Sequence, residues 1–446
     1  MDRNDHHLVS ILEERHFTPG EFIDALGAPS YSSLVKSIKP KALKWLHALF
    51  KFKFLSRRIS LNARFKCRWE IQSYSFTYRS KTVDGREIEM SGRVTFLNSK
   101  EEGTPHQVKT ITLHTHQALL NEEWAPSRNL MYMPLKVFWD SAVIEPDLQK
   151  WGINYGKETD GGGSSFHMAR QLADCTVAAL EVMRQHGVTL APEGYTTNWG
   201  SSQGALPALQ FAKWYDTEAP QWFKDSLRLR STYAAEAAID AAETTKFQYQ
   251  HPEYLSVEMI SLVGYFQAFS PEQLGGYRPE DFLPAWYTEK KYRVEGREVS
   301  FFDAVNYSYS QIKDPIIKEI KSFDQVVAPD MLAEDGAVDL NSPKVLAWLS
   351  CVKKFNNLDD WTPQHTVVLA HSPKDDMMPY EHAYSLYRTI SNQGKNPLVR
   401  MLSIPFPGFI PTGGMMSHLV IAFLIQIYMA LKENPEDMRS LCKSVK

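Results

Sequence analysis

Between residues 108 and 404 the sequence alternates between two periodicities, and that alternation restricts the chain to few architectures. Short apolar runs rich in strand formers, Val108–Leu113, Ala142–Asp147, Tyr195–Trp199, Thr366–Ala370 and Leu398–Ile404, are separated by stretches of helical period such as Phe166–Gln185 and Ala205–Trp214. Strands apolar on both faces belong to buried, mostly parallel sheets. The helices between them supply the crossovers that parallel pairing requires. The expected fold class is therefore α/β, a doubly wound and mostly parallel sheet. Gly187 follows the longest helical stretch, where it can serve as the C-terminal cap.

Two departures from this rhythm set the expected domain plan. Ile71–Tyr78 and Ile88–Phe96 alternate apolar and polar residues around Asp84-Gly85, which predicts an antiparallel hairpin. Later, residues 241–350 carry helical stretches, loops and prolines, with Val257–Phe269 and Ile316–Val327 the best helices and no clear buried strand. A helical block inserted into a doubly wound sheet reads as a cap over the strand ends, where such sheets bind ligands. The plan is an N-terminal extension over 1–69, a core over 70–240 and 351–446, and a cap over 241–350. A last helix over Leu419–Lys432 closes the core.

Composition excludes several classes. The 446 residues suit one large α/β domain with an insertion, and 43% apolar residues suffice for a large core. A net charge of −3 gives no field favouring nucleic acid. Cys67, Cys175, Cys351 and Cys442 are widely spaced, which argues against a disulfide framework and a zinc site. Met1–His7 is polar and lacks the apolar centre of a signal peptide, and no apolar run is long enough to cross a bilayer. Within the extension, residues 36–58 interleave lysines and arginines with Trp45, Phe50, Phe52 and Phe54. Such a stretch suits weak contact with an anionic membrane surface, or, more commonly, a helix packed on the body with its lysines in solvent.

The chemistry concentrates at Gly200-Ser201-Ser202-Gln203-Gly204. The five-residue pattern is weak alone, but here it stands between a short strand and a helix, the context of a nucleophile elbow. Ser202 would be the nucleophile, and the small residues two before and two after it would permit the tight turn. The backbone N–H of Gln203 would face a developing oxyanion, with the positive end of the following helix behind it. In such folds the acid follows a later strand and the histidine follows the last. After Thr366–Ala370 comes His371-Ser372-Pro373-Lys374-Asp375-Asp376, so the acid is Asp375, with Asp376 the alternative; capping aspartates of the next helix are the plain reading. After Leu398–Ile404 the only histidine is His418. The loop after Val108–Leu113 offers the His116 N–H as second oxyanion donor, with Thr115 and Gln117 as register alternatives. His114 and His116 also form a His-x-His pair of the kind that binds metal, but no further ligands follow, and no metal is expected.

Asn198 to Gly204 resembles the GxSQG elbow of secretory-lipase-like α/β-hydrolases. His371 to Pro379 resembles that group's acid loop, in which the first carboxylate of a pair is the acid, here Asp375. Phe76–Phe96 is similar to its opening hairpin, and Tyr233–Thr245 to the segment leading into its helical cap. The similarity runs patchily over residues 70–435. Ala205 stands where many members have glycine, and His114-Thr115-His116 replaces the usual His-Gly pair. The resemblance implies serine-dependent hydrolysis of a small-molecule carboxylic ester without cofactor, and many similar proteins are exported. An acyltransferase or peptidase on the same triad, or a catalytically silent binding scaffold, would share these features.

Overall fold

A computed structural model describes residues 7–26, 69–99, 105–119, 121–130, 134–237, 240–252, 263–307, 320–375, 378–404, 418, 421, 422 and 425. In chain order its main elements are β1 (Leu8–Phe17), α1 (Pro19–Leu26), β2 (Trp69–Lys81), β3 (Glu87–Ser99), β4 (His106–Thr115), β5 (Ser141–Pro146), α2 (Ser165–Gln185), β6 (Val188–Ser201), α3 (Ala205–Thr217), α4 (Gln221–Leu227), β7 (Leu229–Ala235), α5 (Ala241–Tyr249), β8 (Lys291–Val294), β9 (Arg297–Ser300), α6 (Pro343–Asn356), β10 (Thr366–His371), α7 (Tyr380–Ile390) and β11 (Val399–Ser403).

Nine strands form one sheet in the order β1-β2-β3-β5-β4-β6-β7-β10-β11. The first three pairings, β1–β2, β2–β3 and β3–β5, are antiparallel, and every pairing from β5 to β11 is parallel. This is the expected mostly parallel α/β sheet. The predicted hairpin is β2–β3, in register from Trp69 with Ser99 to Lys81 with Glu87. The extension contributes to the sheet: Leu8–Phe17 pairs antiparallel with β2 and forms its edge, bringing Val9, Ile11 and Leu12 to an exposed position. The basic, aromatic stretch 36–58 lies outside the described residues.

The α2 helix starts at Ser164, whose hydroxyl accepts the N–H of His167, and lays Leu172, Ala173, Val182 and Met183 on one sheet face beside Phe76, Val94 and Ile144. The opposite face holds Val143, Trp199, Val368 and Ile425. Strands buried on both faces, such as β5 and nearly all of β10, explain the near-continuous apolar runs in the sequence.

Residues from Ala242 to Val352 gather around a separate apolar cluster in which Phe266 stacks on Phe282 at 4.6 Å and lies 4.4 Å from Trp348. This block is not helical throughout. It includes the β8–β9 hairpin, turning at Glu295-Gly296, both with positive φ. Of the helix expected over Ile316–Val327, the described part from residue 320 forms only a short 3₁₀ turn, Phe323–Gln325. Of Val257–Phe269, residues 263–267 are helical. His418, Ile421, Ala422 and Ile425 are helical, as expected for the closing helix. No helix among the described residues is long and apolar enough to cross a membrane.

Candidate active site

β6 runs straight into the elbow. Its last residue is Ser201, Ser202–Gly204 makes a 3₁₀ turn, and α3 begins at Ala205. Ser202 is held at φ 51°, in the left-handed region that side-chain-bearing residues rarely adopt. The crowding that enforces this is visible at the flanking glycines. A methyl group on Gly200 would run into the Gly204 carbonyl, and one on Gly204 into the carbonyls of Thr115 and His116. Backbone thus packs on backbone around the serine, and its side chain is lifted to the carboxyl end of the sheet.

The three residues expected from different parts of the chain meet here. Ser202 Oγ lies 2.7 Å from His418 Nε2, and His418 Nδ1 lies 2.5 Å from Asp375 Oδ2. Asp375 requires a donor, so Nδ1 carries the hydrogen and Nε2 is left to accept from the Ser202 hydroxyl. All three are buried, Ser202 at 7% and His418 at 2% exposure. Attraction to the His418 ring once it is protonated, together with the hydrogen bond from that ring, outweighs burial and holds the Asp375 carboxyl well below the usual carboxylate range. The second oxygen of Asp375 accepts the Met378 N–H at 3.1 Å, which fixes the loop after β10. Asp376 lies outside the described residues.

Gln203 and His116 flank the serine from two sides. β4 pairs with β6 such that Thr115 stands opposite Gly200, and His116 follows at the elbow. The His116 ring is locked between backbone carbonyls, Nδ1 at 2.7 Å from Gln117 O and Nε2 at 3.0 Å from Asp147 O. Burial lowers its basicity. His114 is turned away, with Nδ1 at 2.8 Å from Glu145 Oε1. The His114/His116 pair therefore does not converge on a common point, and neither belongs to a metal-type cluster among the described residues.

Sequence reasoning missed three side-chain roles, two of them on residues it had named for their backbone N–H groups. Thr115 donates its hydroxyl to Gly204 O at 2.7 Å. The Gln203 carboxamide donates to Asp160 Oδ1 at 3.2 Å and to Tyr265 Oη at 3.3 Å, joining the elbow to the loop after β5 and to the inserted block. Glu236, at the end of β7, is fully buried beside Asp375. Nothing in the local sequence marks these contacts, because each spans a large chain separation.

No family model matches the sequence. No curated protein matches it either. Solved structures do resemble it in fold. A Legionella pneumophila protein superposes with TM-score 0.62 at 13% identity, over 96% of this chain and 99% of that one. A ligand-bound form of LipA, a rice cell wall degrading esterase from Xanthomonas oryzae, gives TM-score 0.62 at 13% identity, over 95% and 97% of the two chains. Candida antarctica lipase A gives 0.52 at 13% identity, over 77% and 76%. The likeness is one of fold, and it extends over most of the described chain.

Proposed function

We propose that the protein is a serine hydrolase that cleaves small-molecule carboxylic esters through an acyl-enzyme on Ser202, His418 and Asp375. The observation that carries this reading is the unbroken line of two hydrogen bonds, 2.7 and 2.5 Å, from Ser202 Oγ through His418 to Asp375. A buried serine at positive φ with that line attached is arranged for nucleophilic attack. That LipA is an esterase and the Candida protein a lipase on the same fold supports the choice of esters.

In the proposed cycle His418 Nε2 takes the Ser202 proton as Oγ attacks the ester carbonyl carbon. Asp375 keeps the imidazole in the required tautomer and stabilises its cation. The backbone N–H groups of Gln203 and His116 receive the oxyanion of the tetrahedral intermediate, each typically worth about 3 kcal/mol. The tetrahedral intermediate collapses, the C–O bond breaks, and His418 protonates the departing alkoxide. Water then attacks the acyl-enzyme with His418 again as base, releasing the carboxylic acid and restoring Ser202. No step calls on a metal or cofactor.

The test is labelling by a fluorophosphonate probe, with hydrolysis of a chromogenic ester series. Wild type should be labelled and active; Ser202→Ala and His418→Ala should be neither. Labelling that persists in Ser202→Ala would overturn the assignment of the nucleophile. Labelling without turnover of any ester, but with acyl transfer to an added alcohol or amine, would redirect the reading to a transferase.

A further inference from the structure

Glu236 is a buried acid that the proposed cycle does not use. It follows the last residue of β7 with φ 49°, and its N–H is bonded to Ala370 O, so the side chain is committed to the carboxyl end of the sheet. Its Oε1 accepts the Ser372 N–H at 2.9 Å. One oxygen of Glu236, one of Asp375 and a ring nitrogen of His371 all lie within 4.8 Å of one another, and the side chains are buried.

If both were ionised, two acceptors would face each other in a dry site. Among the described residues, Oε2 of Glu236 makes no hydrogen bond. His371 Nδ1 is 3.1 Å from it but also 3.0 Å from Ser372 O, and burial keeps that imidazole neutral, with one hydrogen to give. A buried pair of carboxyls this close is stabilised by holding one proton between them. The proton belongs on Glu236, because Asp375 faces His418 and gains from being charged.

We propose that Glu236 is a positioning residue whose carboxyl remains protonated and donates its hydrogen to Asp375, holding that carboxylate in line with His418. The inference rests on the triad reading above. Burial, reinforced by Asp375, also pushes the Glu236 carboxyl up to about 11. Glu236 thereby orients the acid without adding a second negative charge beside the histidine.

The deciding variant is Glu236→Gln, whose amide can donate to Asp375 and accept from Ser372. It should keep kcat within about threefold of wild type and leave the acid limb of the kcat/KM profile in place. Glu236→Ala should lower kcat roughly tenfold to a hundredfold at unchanged KM. Infrared difference spectra of wild type against Glu236→Gln at neutral pH should show the loss of one protonated-carboxyl C=O band. An acid limb displaced by a unit or more in Glu236→Gln, or no such band, would overturn the proposal, as would wild-type kcat in Glu236→Ala. So would a chelator or added zinc that changes wild-type activity but not that of Glu236→Gln, because the cluster would then hold a cation. If Glu236→Ala fails to fold, the spectra and the Glu236→Gln profile still decide. Fluorophosphonate labelling on the same samples separates the two readings: an unlabelled wild type sinks the triad, whereas a labelled enzyme without the band sinks only the role of Glu236.

Discussion

The Thr115 hydroxyl donates to the Gly204 carbonyl oxygen at 2.7 Å, so the end of β4 is fastened directly to the turn that carries Ser202. Both groups are buried. Thr115→Val keeps the shape and removes the donor, at a cost of about 0.5–1.5 kcal/mol for the lost hydrogen bond, since the Gly204 carbonyl, at the N-cap, still accepts the first intrahelical bond of α3. It also frees the His116 loop relative to the serine, so kcat is expected to fall about tenfold with a lower melting temperature. Thr115→Ser should restore most of both. Wild-type turnover in the valine variant would show that the tie does not position the loop.

The turn itself is predicted to be intolerant of a single methyl group. In Gly204→Ala the new Cβ would enter the carbonyls of Thr115 and His116, which are backbone atoms and cannot swing aside. Strain of this kind belongs among the large single-residue effects, about 4 kcal/mol or more. The variant should melt far below wild type or fail to accumulate as soluble protein. Gly276→Ala is the control for an added methyl group, because no described residue stands within 4 Å of its Cβ position, although its φ of 96° imposes backbone strain of its own. It should lose much less stability, and equal losses in a thermal melt would refute the steric account.

Asp375→Asn keeps the size of the acid and removes its charge. The amide cannot both accept from His418 Nδ1–H and balance the imidazolium, and kcat should drop about 10³–10⁴-fold with little change in KM. Asp375 has its carboxyl depressed in the folded state. A depressed acid contributes stability that is present above its unfolded value and is lost only as pH falls through the folded one. Asp375 therefore stays charged at about pH 5, where ordinary carboxylates begin to protonate. Wild type and Asp375→Asn should accordingly show the same loss of stability between neutral and mildly acid pH, a comparison made by melting temperature against pH. A steeper loss in wild type in that range would mean Asp375 is not held ionised.

The joint between elbow and inserted block gives a different kind of prediction. Gln203 reaches Asp160 and Tyr265 with one amide, so truncating the amide should loosen the roof rather than the chemistry. Gln203→Ala is expected to raise KM severalfold while fluorophosphonate labelling of Ser202 persists, because the backbone N–H remains. A fall in labelling rate equal to the fall in kcat/KM would place the side chain in the chemical step instead.

The parts of this site that were legible in the sequence were those set by local chain chemistry. Gly200 and Gly204 announce a turn that only small residues fit, and Asp375 and His418 follow strands whose apolar runs are buried on both sides. The residues that remained hidden act through tertiary contact. Glu236 reads as one more acid after a strand until the sheet order β7-β10 brings it against Asp375. Arg93 sits in an alternating strand where a solvent-facing position is the natural expectation. It is instead 1% exposed, because β1 and the Ser127 segment cover it, and its guanidinium donates to Ser127 O at 2.7 Å. Residues 320–327, the described part of the helix expected over Ile316–Val327, form only a short 3₁₀ turn, because an apolar spacing of three or four also suits a loop that buries Ile320, Phe323, Val326 and Val327 in the inserted block's apolar cluster.

His167 should make stability depend on pH below neutrality. It occupies the first turn of α2, with Nδ1 2.6 Å from Ser164 Oγ, and it is packed against Phe166 and Phe355 at ring separations of 5.3 and 5.2 Å. The serine hydroxyl donates to Nδ1 only while the imidazole is neutral. Burial lowers its pKa from 6.5 to about 4. Between those values the unfolded chain takes up a proton that the folded chain refuses, so stability falls as pH drops through that window and is fully present above it. By linkage the contribution is at most about 3 kcal/mol. His167→Gln removes the titration and leaves a residue favoured at this place in a helix. Its melting temperature should therefore decline less than that of wild type from pH 6.5 to 4, with the two curves parallel above 7. Curves that stay parallel throughout the acid range would show that His167 takes up its proton in the folded state as readily as in the unfolded one.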